Sequence, residues 1–75
     1  MKEIKILLSS INDVKKFVNI VSKYDFDVDL ISDRYVVDAK SIMGIFSLDL
    51  SKFIKVEIHS DECDDFIAEL KEFEA

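Results

Sequence analysis

Few side chains in this 75-residue sequence are equipped for chemistry, and their spacing limits what they can do together. His59 is the only histidine and Cys63 the only cysteine. Asp25, Asp27 and Asp29 alternate with apolar residues and look like a comb of metal-binding carboxylates. Successive residues on one face of a strand lie ~7 Å apart, however, whereas a hard cation wants its oxygens converging on one point. A solvated sheet face is the better reading, and no metal site is expected. Cys63 falls on an apolar helical stripe, which makes it a packed, inert thiol rather than a nucleophile. No nucleophile–base pair or metal cluster is visible in the sequence, and the single glycine, Gly44, cannot build a phosphate-cradling loop. The expectation is a protein that is not an enzyme, with no catalytic residue and no cofactor.

The stretch that invites a partner is Asp38–Leu50, DAKSIMGIFSLDL. Read as a helix at 100° per residue, its apolar side chains fall on two arcs, Ile45 with Leu48 and Ile42 with Met43 and Phe46. A two-turn element can turn only one arc into its own core. Ile45 and Leu48 suit that role, which leaves Ile42, Met43 and Phe46 as a small exposed patch of the kind that marks a docking site. Spacing alone leaves a second arrangement equally open, in which Phe46 folds back and all five residues are core. Ser41 stands at the N-cap position, where its hydroxyl can accept a bond from an unpaired amide of the first turn.

The elements that must position these groups follow from periodicity. Lys2–Leu8 alternates, with Ile4, Ile6 and Leu8 opposite Glu3, Lys5 and Leu7, as in a half-buried strand. Ser10 with Asp13 three residues later is a capping-box-like start. The helix it opens carries Ile11, Val14, Val18 and Val21 on one stripe with Phe17 beside them, and Lys15, Lys16 and Asn19 on the wet face. Asp25–Ile31 predicts a second strand, Ser32–Asp33 a tight turn and Tyr35–Val37 a third strand. After the central helix and a loop at Asp49–Lys52, Ile54, Val56 and Ile58 alternate with Lys55, Glu57 and His59 in a fourth. Ser60 or Asp61 is expected to start the last helix, with Cys63, Phe66, Ile67, Leu70 and Phe73 on its stripe. Asp61, Glu62, Asp64 and Asp65 would then fill its first turn, at the positive end of the helix dipole. The order β-α-β-β-α-β-α, with one apolar face per strand, predicts an α+β fold of two layers whose sheet is covered on one side. Lys5, Asp27, Asp29, Lys55, Glu57 and His59 are placed on the open face.

Composition bounds the partners. A chain of this length reads as a single domain over residues 1–75, and 49% hydrophobic residues without proline disfavour disorder. Sixteen acids against ten bases give a net charge of −6, which repels phosphate backbones and anionic lipid. Nucleic acid and membrane are therefore not expected partners. One cysteine allows no internal disulfide and argues against secretion. MKEIKILLSS lacks the apolar core of a signal peptide, and no stretch approaches a membrane span. The expected compartment is the cytoplasm.

The element order, together with AKSIMGIFSL, resembles the histidine-containing phosphocarrier protein (HPr) family of the bacterial sugar phosphotransferase system. The resemblance runs from about Ser22 to Phe73 through SKYDFDVDL, VDAKSIMGIFSL and HSDECDDFIAEL. It implies an open-faced β-sandwich, an antiparallel sheet ordered 1-4-2-3 with three helices on one side. In that family a histidine at the start of the first helix carries phosphate, within a Gly-Ile/Leu-His-Ala-Arg-Pro pattern. The chemistry needs an imidazole nitrogen near free helix amides and an arginine to hold the phosphoryl oxygens. The matching stretch here, Leu8-Ser9-Ser10-Ile11-Asn12-Asp13-Val14-Lys15, has no histidine, arginine or proline. The resemblance thus implies a variant whose carrier site is absent. His59 is a poor substitute, because it alternates away from the helices and the family's strand order puts it at the opposite end of the sheet from that start. Whether the amides of Ser9–Asp13 still attract an anion stays open.

A second family site does match. In HPr of many Gram-positive bacteria a serine of the central helix is phosphorylated by an ATP-dependent kinase, changing which regulators bind. Ser41 occupies that position, where a phosphate of charge about −2 would meet the helix's positive end. A plain N-cap role accounts for Ser41 equally well. The family docks partners through neighbouring apolar residues, and Lys40, Ile42, Met43 and Phe46 stand there. The resemblance therefore implies a regulatory, protein-binding module of the phosphotransferase system that docks through Ser41–Leu48. Two rivals stand beside it. One is a phosphocarrier using Ser10 or His59 as acceptor, although phosphoserine would relay poorly. The other is a structural module that self-associates through Ile42, Met43 and Phe46; a monomer or weak dimer is expected.

Overall fold

Short runs in which Ile, Val and Leu alternate with charged residues give this chain strands with one oily and one wet face. The computed structural model, which describes residues 2–74, assembles four of them: β1 (Lys2–Ile6), β2 (Val28–Ser32), β3 (Tyr35–Asp38) and β4 (Ile54–Ile58). They form one antiparallel sheet in the order β1-β4-β2-β3. The helices α1 (Ile11–Val21), α2 (Ile42–Phe46) and α3 (Asp64–Glu69) lie between and after the strands, and a 3-10 turn spans Lys71–Phe73. This is the α+β, open-faced architecture expected from the element order. Ile6, Val28, Leu30, Ile54, Val56 and Ile58 of the sheet bury against Val14, Phe17, Val21, Ile45, Phe66 and Leu70 of the helices. No helix among the described residues is long and apolar enough to cross a membrane.

Four local expectations shift. β1 ends at Ile6 rather than Leu8, because the C-terminal segment takes over its pairing: Ile6 bridges Glu74, and Leu7 N–H donates to the Phe73 carbonyl at 2.8 Å. β2 begins at Val28, three residues later than expected. The Tyr24 and Phe26 rings instead stack on each other (centroids 5.3 Å apart) and edge-on against Phe66 at 5.1 and 5.5 Å. These aromatic contacts pull Asp25–Asp27 out of the strand.

The last helix starts at Asp64, not at Ser60 or Asp61. The Ser60 hydroxyl turns back to accept the Glu62 N–H at 3.1 Å, and Cys63 enters the core before the helix can begin. Asp64 and Asp65 remain in the first turn, while Asp61 and Glu62 precede it. Ile11 shares the arc of the α1 stripe but is 62% exposed, since it stands at the first helical residue, a turn before the buried Val14. Val14, Phe17 and Val21 form the buried face of that helix.

Candidate functional site

The central helix is held at its N-terminal end. Ser41 adopts an extended backbone at φ −98°, ψ 100°, and its hydroxyl accepts the Gly44 N–H at 3.3 Å. Its own N–H donates to the Asp38 carbonyl at 3.0 Å, while the Asp38 carboxylate accepts the Lys40 N–H at 2.8 Å. Lys40 is exposed, and its Nζ donates to the Tyr24 carbonyl at 3.0 Å. The lack of a side chain at Gly44 lets α2 press on the sheet. A Cβ there would lie 3.3 Å from Val37 Cβ and 3.2 Å from the Ser41 hydroxyl.

That close seating decides which apolar arc is core. Ile45 is fully buried and Leu48 nearly so. The other arc divides. Met43 is 77% exposed and Phe46 40%, while Ile42 is half-buried and packs against the core. Phe46 has not folded back entirely, and lies one turn from both Ile42 and Met43 on the same helical surface. The exposed hydroxyl of Ser41 opens this helix immediately before Ile42.

At the start of α1 the polar groups satisfy one another. The Ser10 hydroxyl accepts the Asp13 N–H at 3.1 Å, and the Asp13 carboxylate accepts the Ser9 N–H and the Ser9 hydroxyl at 3.2 and 3.0 Å. This is the expected capping exchange moved one residue outward, because the short Asp side chain reaches Ser9 rather than Ser10. The Asp13 carboxylate thus places a negative charge beside the start of α1, bonded to Ser9 rather than to the amides of the first turn.

His59 lies elsewhere. The register pairs Lys2 with Ile58, so His59 sits beside the beginning of β1, at the far end of the sheet from the entry to α1. Its Nε2 is 3.0 Å from Asp29 Oδ2 on the open face. With Glu57 these residues bring three possible ligand atoms within 4.8 Å of one another. Sequence reasoning judged the aspartates along one strand and so missed this cross-strand grouping; the pairing of β2 with β4 was the signal that could have found it. Asp25 and Asp27, the other teeth of the comb, fall outside the strands.

A third polar group ties the turn after α1 to the end of α3. Glu69 accepts hydrogen bonds from Lys23 Nζ and from the Tyr24 hydroxyl. The Lys23 bond, then the Tyr24 bond, hold the Glu69 carboxyl below its ordinary range. The same bond to Glu69, with partial burial, pushes the Tyr24 phenol up to about 12. This cluster fastens the two helices.

Comparison with known proteins places this geometry. The family described as "PTS HPr component phosphorylation site" matches residues 12–75. The crystal structure of HPr-C-His from Thermoanaerobacter tengcongensis is similar at 30% identity and a TM-score of 0.80, covering 96% of this chain and 89% of that one. A phosphocarrier protein HPr from Bacillus anthracis str. Ames matches at 22% identity and a TM-score of 0.74, over 97% and 94% of the two chains. The latter speaks for the fold alone. No curated protein is significantly similar in sequence. With the family signature spanning most of its length and a 30%-identical structure matching nearly end to end, the chain belongs to the HPr family of the phosphotransferase system.

Proposed function

We propose that this protein is an HPr-family module that binds other proteins through α2 and does not carry phosphohistidine. The observation that carries the reading is the contrast between two helix starts. Beside Ser41 the apolar Met43 and Phe46 stand open to solvent. At the start of α1, Ser9, Ser10 and Asp13 bond one another, which puts a carboxylate beside that helix start. The only imidazole of the chain is at the other end of the sheet. A phosphoryl dianion next to the Asp13 carboxylate would meet like charge with no arginine to offset it.

In this reading the protein performs no reaction of its own and works in the cytoplasm with proteins of the phosphotransferase system or its regulators. Met43 and Phe46 supply the apolar contact, Ile42 supports them from below, and Lys40 fixes the approach to the helix. Ser41 is the candidate regulatory site, since phosphate there would add a charge of about −2 at the edge of the docking patch. Incubation with phosphoenolpyruvate and the system's first enzyme should leave no acid-labile phosphate on the chain. A stoichiometric phosphoramidate would end the proposal. Met43→Asp should abolish capture of whichever protein wild type retains, with the fold intact because that side chain is so exposed.

A further inference from the structure

We propose that the open face of the sheet binds one divalent transition-metal ion of the zinc or nickel type through His59, Asp29 and Glu57. The sequence alone argued against a metal, because carboxylates two apart on one strand diverge. The register reverses that argument. Glu3 pairs with Glu57, Glu57 with Asp29, and Asp29 with Asp38. One rung across all four strands therefore carries four acidic residues, and directly paired side chains share a face with Cβ atoms only ~4.5–5.5 Å apart. Like charges so placed repel. Lys55 Nζ, 3.8 Å from Glu3, relieves the β1 end of the row. Among the described residues Glu57 has no ion-pair partner.

His59 completes the set. It follows Glu57 by two positions and so emerges on the same face, and its N–H donates to the Asp27 carbonyl at 3.0 Å, which carries the ladder past the end of β4. The imidazole Nε2 meets Asp29 Oδ2 at 3.0 Å. That contact accounts for two of the three residues, and Glu57 stands between Asp29 and Glu3 in the same row. A zinc ion held at ~2.0–2.2 Å by tetrahedral ligands separates its donors by about 3.4 Å. The three donors already lie within 4.8 Å, so side-chain rotation on a rigid ladder closes the site.

Donor chemistry selects the ion. One imidazole nitrogen with two carboxylate oxygens suits zinc, nickel or cobalt, whereas magnesium and calcium prefer oxygen alone. Without metal, Nε2–H donates to the Asp29 carboxylate; coordination uses the Nε2 lone pair, so zinc displaces that proton and the bound ring carries its hydrogen on Nδ1. Protein ligands fill three positions and water the rest. Those waters fit the shallow cleft of about 440 Å³ between Asp27, Asp38 and His59, where the two carboxylates can accept their hydrogen bonds. The site stands on the face of the sheet away from α2 and does not depend on the docking proposal.

The test is calorimetric titration of the full chain with zinc chloride, and separately with magnesium chloride, in a non-chelating buffer. One zinc ion should bind per chain, with magnesium at least about tenfold weaker. Zinc affinity should fall roughly tenfold or more in His59→Gln and in Asp29→Asn, and stay unchanged in Asp25→Asn and in Cys63→Ala. Both ligand substitutions are on partly exposed side chains, and circular dichroism without metal confirms that they fold. The ring-nitrogen resonances of His59 should shift on adding zinc to wild type. Absence of saturable zinc binding, undiminished binding in either ligand variant, magnesium binding as tight as zinc, or loss of binding in Cys63→Ala would each overturn the proposal.

Discussion

Ser41 can be separated into its two roles by replacing it with alanine and with aspartate. Alanine removes the hydroxyl that accepts the Gly44 N–H and leaves that amide without its cap. Loss of a serine N-cap costs ~0.5–2 kcal/mol, typically about 1. Here the bond is long, at 3.3 Å, and the helix has five residues, so the lower half of that range applies, about 0.5–1 kcal/mol. Against a total stability of roughly 4–11 kcal/mol for a chain of this size, the melting temperature should drop by about 2–8 °C. Aspartate keeps an oxygen at the cap and adds negative charge at the helix's positive end, which is worth ~0.3–1 kcal/mol. Ser41→Asp should therefore lie within about 0.5 kcal/mol of wild type. Urea unfolding followed by circular dichroism measures both variants, and amide exchange at Gly44 should quicken in the alanine variant alone. If Ser41→Ala is as stable as wild type while Ser41→Asp loses more than about 1 kcal/mol, the hydroxyl is not a cap and the reasoning fails.

The cluster of Lys23, Tyr24 and Glu69 gives the protein an alkaline and an acid limb. The folded state holds the Tyr24 proton to about 12, whereas an unfolded phenol ionises near ~10. Its contribution to stability is thus present below pH ~10 and lost as pH rises from there toward 12. Tyr24→Phe should flatten that limb in urea midpoints measured across pH, and an unchanged limb would refute the assignment. Glu69 acts with the opposite sign: its folded pKa is depressed, so its contribution is present above the unfolded value of ~4.3 and lost as pH falls through the folded one. Glu69→Gln should remove that acid-side loss in the same measurement. Phe66→Ala deletes a fully buried ring that touches both Tyr24 and Phe26. The expected cost of ~3–5 kcal/mol approaches the whole stability, so the variant should be largely unfolded or melt far below wild type in calorimetry.

What was legible in the sequence was local. Alternation in Ile54–Ile58 and the spacing of Val14, Phe17 and Val21 are written in neighbouring residues, and the structure follows them. Ser10 and Ser41 could be placed as caps because capping depends on the next three positions. What was not legible depended on distant chain. Asp25–Asp27 alternate as well as any strand, yet Tyr24 and Phe26 are drawn to Phe66, some forty residues later, and the ladder starts only at Val28. The late start of α3 has a similar origin, since burial of Cys63 takes precedence over continuous helix from Ser60. The split of Ile42, Met43 and Phe46 follows from how closely Gly44 lets α2 approach Val37, a separation that no periodicity encodes. The carboxylate row likewise exists only once four strands are in register.

The clasp between the two ends of the chain bears on how the protein is made. Ile6 bridges Glu74 and Leu7 binds the Phe73 carbonyl, while β1 waits for a partner, β4, that is synthesised about fifty residues later. Closing so large a loop is a slow, entropically costly step that nothing earlier in translation can anticipate. Until residues 54–58 and 73–74 have been made, Ile4, Ile6 and Leu8 lack the strand and the segment that cover them.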